Sequence, residues 1–158
     1  MTGVRIAVVG GGIAGVSAAY HLVEAHPDTE VFLLEAEPVL AHHTTGRSAA
    51  ILLENLTTRP NLILTRASVD FLRDTPTDLV DAPLLSPRTV MHISSEAQSD
   101  QMDELLAEGS LLPSPSVELT VDEAMDYFPP LRRELVDRAV LEPDCADIDV
   151  GALHQAYV

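Results

Sequence analysis

Two clusters of residue types in this sequence could do chemistry. The first is Gly10-Gly11-Gly12-Ile13-Ala14-Gly15, with Glu35 twenty residues beyond the last glycine. The second is His42-His43-Thr44-Thr45-Gly46-Arg47-Ser48-Ala49-Ala50, a polar run that leads into the apolar Ile51-Leu52-Leu53. The glycines satisfy GxGxxG, which alone is weak but gains weight directly after a strand and at the start of a helix. Gly10 permits a tight turn, Gly12 leaves room for a pyrophosphate against the backbone, and Gly15 lets helix and strand pack closely. The helix start, at Ile13 and Ala14, offers free N–H groups and a positive dipole end to phosphate. Glu35 can accept both ribose hydroxyls of an adenosine, and its charge disfavours a 2′-phosphate. NAD and FAD both use such a unit.

These residues need particular elements to position them. Val4 to Val9 is a short β-branched run, as expected of a strand buried on both faces. Ile13 to His26 repeats apolar residues at helical spacing and ends before Pro27. Glu30 to Glu35 is a second buried strand, so the segment reads as a βαβ unit with a right-handed crossover. Further on, 47–56 and 61–74 read as helices, Thr89 to Ile93 and Arg138 to Glu142 as strands. Ser95 with Gln98 and Thr120 with Glu123 read as capping boxes, Leu119 as a staple residue, Gly109 as a helix stop and Asp149 as the cap of a last helix.

Composition limits the function classes. The chain has 158 residues, 46% hydrophobic and 22% charged, which is the profile of a globular protein. The formal charge is −16, and all nine bases are arginine. Such a surface repels nucleic acid and anionic membrane. The single Cys145 excludes an internal disulfide and a thiolate metal cluster. The N-terminus has no signal-like pattern, no apolar run reaches the length of a spanning helix, and a cytoplasmic protein is expected.

GGGIAG, LLEAE, HHTTGRSAA, TRASVDFL, APLLSPR and EPDCADIDVGALHQAYV together resemble the N-terminal part of the FAD-dependent D-amino-acid oxidase-like superfamily, and within it the D-arginine dehydrogenase type. The resemblance runs over essentially the whole chain. It implies FAD as cofactor, with Thr45, Gly46, Arg47, Ser48, Ala49 and Ala50 beneath and beside the flavin, and Ala36 and His43 as further cofactor contacts. Gly46 would allow close approach, Arg47 and helix-starting amides would suit the pyrophosphate or the flavin's pyrimidine edge, and the two alanines would let the ring lie flat. It implies oxidation of the Cα–N bond of an amino acid, of D configuration in the nearest relatives, by hydride transfer to the flavin. Glycine, sarcosine and related amines belong to the wider superfamily.

Two features of the D-arginine type are missing. Ile51, Leu52, Leu53, Glu54, Asn55 and Leu56 stand where that type has a polar, aromatic-containing lid, and Thr89 and Val90 stand where it has an acid to meet a cationic side chain. Burying a guanidinium without a partner is costly. Ile51, Leu53, Leu56 and Val90 therefore form a candidate pocket for an apolar or small substrate, with packing into a core as the equal alternative.

The expected architecture is α/β: a Rossmann-like FAD-binding βαβ unit (1–85), the start of an α+β substrate domain (86–145) and a return toward the FAD-binding domain (146–158). The whole reads as an incomplete two-domain flavoenzyme, because the groups that clamp the substrate carboxylate belong to a later half. The isolated chain is expected not to turn over any amino acid, and a second polypeptide supplying that half is a candidate partner. The alternatives are a catalytically inactive nucleotide-binding module and a poorly folding remnant. No catalytic residue is assigned. No metal is expected: His42 and His43 have no carboxylate or Cys partner nearby in sequence. His21 and His154 read as surface or packing residues, and Asp122 to Asp126 as a solvated helix face.

Overall fold

The computed structural model describes residues 4–55 and 59–158. They fold as two compact units: residues up to Ala50 with 73–84 and 148–158, and residues 51–72 with 85–147. The 51–72 segment thus lies with the second unit, whereas the sequence reading grouped it with the first.

In the first unit, β1 (Arg5–Val9) and β2 (Glu30–Leu34) pair in parallel, with Arg5 opposite Glu30 and Val9 opposite Leu34. Between them runs α1 (Ile13–Ala25), ending at His26 where Pro27 stops the helical run. Parallel neighbours require such a crossover. The expectation of strands buried on both faces is not met. Exposure alternates along both strands, none of their residues is fully buried, and Val9 is 82% exposed, while Val16 of α1 is buried. The apolar composition of VRIAVV therefore exceeds what the described residues cover.

α5 (Val150–Ala156) completes this unit. Asp149 caps it as expected, its carboxylate accepting from the Ala152 N–H at 2.8 Å.

The second unit is built on a four-stranded sheet. Its spine is the eleven-residue β6 (Arg138–Ile148), whose Ala139 and Val140 are fully buried. The short strands β3 (Ile51–Leu52) and β5 (Val117–Leu119) pair antiparallel with different stretches of it, and β4 (Leu85–Ser94) also joins the sheet. The helices are α2 (Arg59–Arg73), α3 (Ser99–Gly109) and α4 (Val121–Tyr127). Both capping boxes form. Thr120 Oγ1 accepts from the Glu123 N–H at 3.2 Å, and the Glu123 carboxylate accepts from the Thr120 N–H at 2.8 Å. The Ser95–Gln98 box opens a 3₁₀ turn (Glu96–Gln98) that runs on into α3. Asp122, within the acid-rich stretch, is exposed and pairs with Arg133.

The expected helix over 47–56 does not form. Thr45–Arg47 is a single 3₁₀ turn, Ala50 takes a positive φ of 55°, and Ile51 and Leu52 pair with Asp147 and Ala146. Left-handed backbone interrupts a helix, and a β-branched residue beside an open strand edge gains more from pairing. With no helix there, the helix-starting amides expected near Arg47 are absent. Leu56, one of the four pocket candidates, lies outside the described residues. No helix among the described residues is long and apolar enough to cross a membrane.

Candidate functional site

The glycine-rich turn is held by neighbours distant in sequence. Gly10, at φ 109°, donates its N–H to the Leu34 carbonyl at 2.7 Å, which joins the turn to the end of β2. A Cβ on Gly15 would lie 1.8 Å from the Gly10 carbonyl oxygen, so only glycine lets α1 start this close to the turn. A Cβ on Gly12 would stand 3.1 Å from Thr45 Oγ1. Thr45 Oγ1 also accepts from the Ile13 N–H at 3.0 Å, and so substitutes for a cap at the head of α1.

Glu35 closes the other side. One carboxylate oxygen accepts from the Gly11 N–H at 2.6 Å, the other from the Ala36 and Glu37 N–H groups at 2.8 and 2.9 Å. The Glu37 and Gly11 N–H bonds, followed by that of Ala36 and the nearby His43, hold this carboxyl below the usual carboxylate range against a smaller opposing effect of burial. A carboxylate has roughly four acceptor positions, and three are used here. One position is left for a ribose hydroxyl. Accepting both, as the sequence suggested, requires the Gly11 contact to give way.

The carbonyl of Gly11 is a second junction. It accepts from the Ala41 N–H at 3.1 Å and lies 2.9 Å from Nε2 of His154. A carbonyl oxygen only accepts, so Nε2 carries the hydrogen. His154 is buried. Its helical pattern in the sequence suits a surface or packing residue, and neither it nor Gly11 is among the expected site residues. A partner 143 positions away leaves no local signal.

The segment after β2 follows a bent course. Ala41 takes a positive φ of 56°, and Gly46 donates to its carbonyl at 3.0 Å, where a Cβ on Gly46 would come to 2.4 Å. Ser48 Oγ accepts from the Ala50 N–H at 2.9 Å, and the side chains of Arg47, Ser48 and Ala49 are exposed. His43 Nε2 meets the Glu37 carboxylate at 2.8 Å. The sequence reading found no carboxylate near the histidine pair; the fold supplies Glu37. A cleft of about 660 Å³, within the usual size of ligand sites, is lined by Leu40, Ala41, Thr45, Gly46, Gly151 and His154 among others.

The donor set suits a dinucleotide. The first turn of α1 carries no acidic side chain and Gly12 offers no side-chain cap, so its dipole and the amides beyond Ile13, whose own N–H goes to Thr45, can meet a phosphate. Thr45, Gly46 and Ser48 border the cleft, and Thr45 also meets the head of α1.

The substrate candidates belong to the second unit. Ile51 and Leu53 are half-buried, and Val90 is half-buried on β4, its backbone in contact with the Cys145 thiol. The apolar cleft of that unit, about 370 Å³, is lined by Thr89, Met91 and Ile93 from alternate positions of β4, with Tyr127, Phe128 and Leu131. Val90 lies on the opposite face of the strand.

A family profile described as FAD dependent oxidoreductase (DAO) matches residues 5–158. L-2-hydroxyglutarate dehydrogenase of Escherichia coli (strain K12) is 40% identical over 45 residues, covering 28% of this chain and 11% of its own length. The mitochondrial enzyme of the same name from Homo sapiens is 33% identical over 64 residues, 40% of this chain and 14% of its own. Among solved structures, L-proline dehydrogenase from P. horikoshii superposes with TM-score 0.77 at 18% identity, covering 98% of this chain and 40% of that one. Glycine oxidase from Geobacillus kaustophilus gives TM-score 0.76 at 20% identity, with 97% and 43% covered. FAD-bound L-alpha-glycerophosphate oxidase from Mycoplasma pneumoniae gives 0.78 at 17%, with 99% and 42% covered. The chain thus spans well under half the length of these relatives.

Proposed function

This chain belongs to the DAO family of FAD-dependent oxidoreductases, and from that premise we propose that it is the FAD-holding portion of an enzyme that oxidises the Cα–N bond of an amino acid. The observation that carries the reading is the glycine-rich turn, clasped by Glu35 on one side and Thr45 on the other. Bound FAD would supply the acceptor for the hydride that leaves Cα.

The chain's own residues bind and orient. Gly10, Gly12 and Gly15 shape the turn, and the Ala14 amide would face the pyrophosphate, joined by that of Ile13 once its bond to Thr45 gives way. Glu35 and Ala36 hold the adenosine ribose. His43, Thr45, Gly46, Arg47, Ser48, Ala49 and Ala50 line the path of the flavin, with the exposed Arg47 countering negative charge. Ile51, Leu53 and Val90 would give the substrate an apolar neighbourhood. A small or apolar side chain therefore fits better than arginine, and the likeness to D-arginine dehydrogenase-type enzymes supports the D configuration only. By resemblance, the groups that clamp the substrate carboxylate belong to a later half of such enzymes, a half that a second polypeptide would supply.

A second reading has its own support. The local identity to L-2-hydroxyglutarate dehydrogenases favours a 2-hydroxy acid, oxidised at Cα–O instead of Cα–N.

Titration of the purified chain with FAD, followed by flavin fluorescence, tests the cofactor reading. Saturable one-to-one binding that Gly12→Asp abolishes is expected. A chain with native-like circular dichroism and no FAD binding overturns it. Anaerobic bleaching of the flavin in the completed enzyme by D-amino acids, and not by 2-hydroxyglutarate, separates the two substrate readings.

A further inference from the structure

Glu37, His42 and His43 form a group whose possible ligand atoms all lie within 4.8 Å of one another. An ordinary surface ion pair would account for two of them, since His43 Nε2 and Glu37 Oε1 are 2.8 Å apart. It does not account for His42, whose ring meets that of His43 edge-on with centroids 4.9 Å apart.

The backbone explains the convergence. Consecutive residues in extended chain point to opposite sides. Here the pair follows Ala41 in the left-handed region, and the turn at Ala41 is pinned from both directions, by its own N–H to the Gly11 carbonyl and by the Gly46 N–H to its carbonyl. Glu37 is fixed in turn by its N–H bond to Glu35. The three donors are thus presented from a held loop.

We infer that Glu37, His42 and His43 form a binding site for a divalent transition metal ion, Zn²⁺ or a close relative. Two imidazoles and one carboxylate are a donor set of the zinc type, whereas Mg²⁺ and Ca²⁺ prefer oxygen alone. Tetrahedral bonds of about 2.1 Å place ligand atoms about 3.4 Å apart, which the present spread reaches by side-chain rotation. The side chains of Glu37 and His43 are 36% and 65% exposed, so ions have direct access and a fourth position is left to water. The formal charge of −16 draws cations to the surface. A bound ion would staple residues 37–43 beside the glycine-rich turn.

Cobalt is the probe. The untagged 158-residue chain is titrated with CoCl₂ without FAD, following visible d–d absorption, so that the result is independent of the cofactor reading. One saturable Co²⁺ per chain, displaced by ZnCl₂, is expected. His42→Ala and His43→Ala each weaken it at least about tenfold, and Glu37→Gln weakens it too. These side chains lie at the surface, and circular dichroism of each variant establishes that the fold is retained. Absence of saturable binding below about 1 mM, where metal affinity becomes negligible beside the surface's general attraction for cations, overturns the inference. So does binding that the His42→Ala/His43→Ala double variant leaves unchanged.

Discussion

Nε2 of His154, in the last helix, donates to the carbonyl of Gly11 in the first turn at 2.9 Å, and the same carbonyl takes a second bond from Ala41. One oxygen of the glycine-rich turn thereby ties together α5 and the loop that carries Thr45.

His154→Leu removes the donor but keeps the bulk. Gly11 retains its bond from Ala41, so the stability loss is about 1 kcal/mol, and FAD binding weakens about fivefold if the turn's position matters to the phosphates. His154→Gln restores a donor and should recover most of the affinity. Urea unfolding and FAD titration of both variants check this; equal affinities in the two would mean the imidazole only fills space.

Gly15→Ala and Gly10→Ala test different constraints. A methyl on Gly15 meets backbone oxygen at 1.8 Å, which nothing nearby can relieve, whereas a methyl on Gly10 meets open space but sits at φ 109°. Gly10→Ala should cost about 1–3 kcal/mol through backbone strain. Gly15→Ala should cost more and abolish FAD binding, because α1 must move away from the turn. Thermal unfolding of the two variants gives the order.

Glu35 links stability to acid. Its folded-state carboxyl is held below the usual range, chiefly by the Glu37 and Gly11 N–H bonds. A depressed folded value means the stabilisation is present above the unfolded value and disappears as pH falls through the lower, folded one. Glu35→Gln should therefore be less stable than wild type at neutral pH, and the difference should shrink as pH drops below the ordinary carboxylate range. Urea midpoints measured across that range check the sign; a difference that grows on acidification contradicts it.

Cys145 should be chemically quiet. It is 4% exposed, and burial, aided by the charge of Glu142, pushes its thiol up to about 11. The thiolate is the reactive form, so at pH 8 an aromatic disulfide reagent should label the folded chain far more slowly than the chain in denaturant. Equal rates would show that β6 opens readily.

The sequence alone determined what short-range chemistry controls. GxGxxG set the turn between β1 and α1, Pro27 ended α1, and Thr120 with Glu123, Ser95 with Gln98 and Asp149 placed three helix starts, because a cap and its target lie within one turn. Tertiary structure decided the rest. Ile51 and Leu52 carry an apolar pattern that suits a helix or a strand, and the edge of β6 selected the strand. Thr45 reaches Ile13 over 32 residues and His154 reaches Gly11 over 143, and local periodicity holds no record of such partners. Glu37 joins His43 because the left-handed Ala41 folds the loop back, a conformation that no residue type in LAHHTT demands.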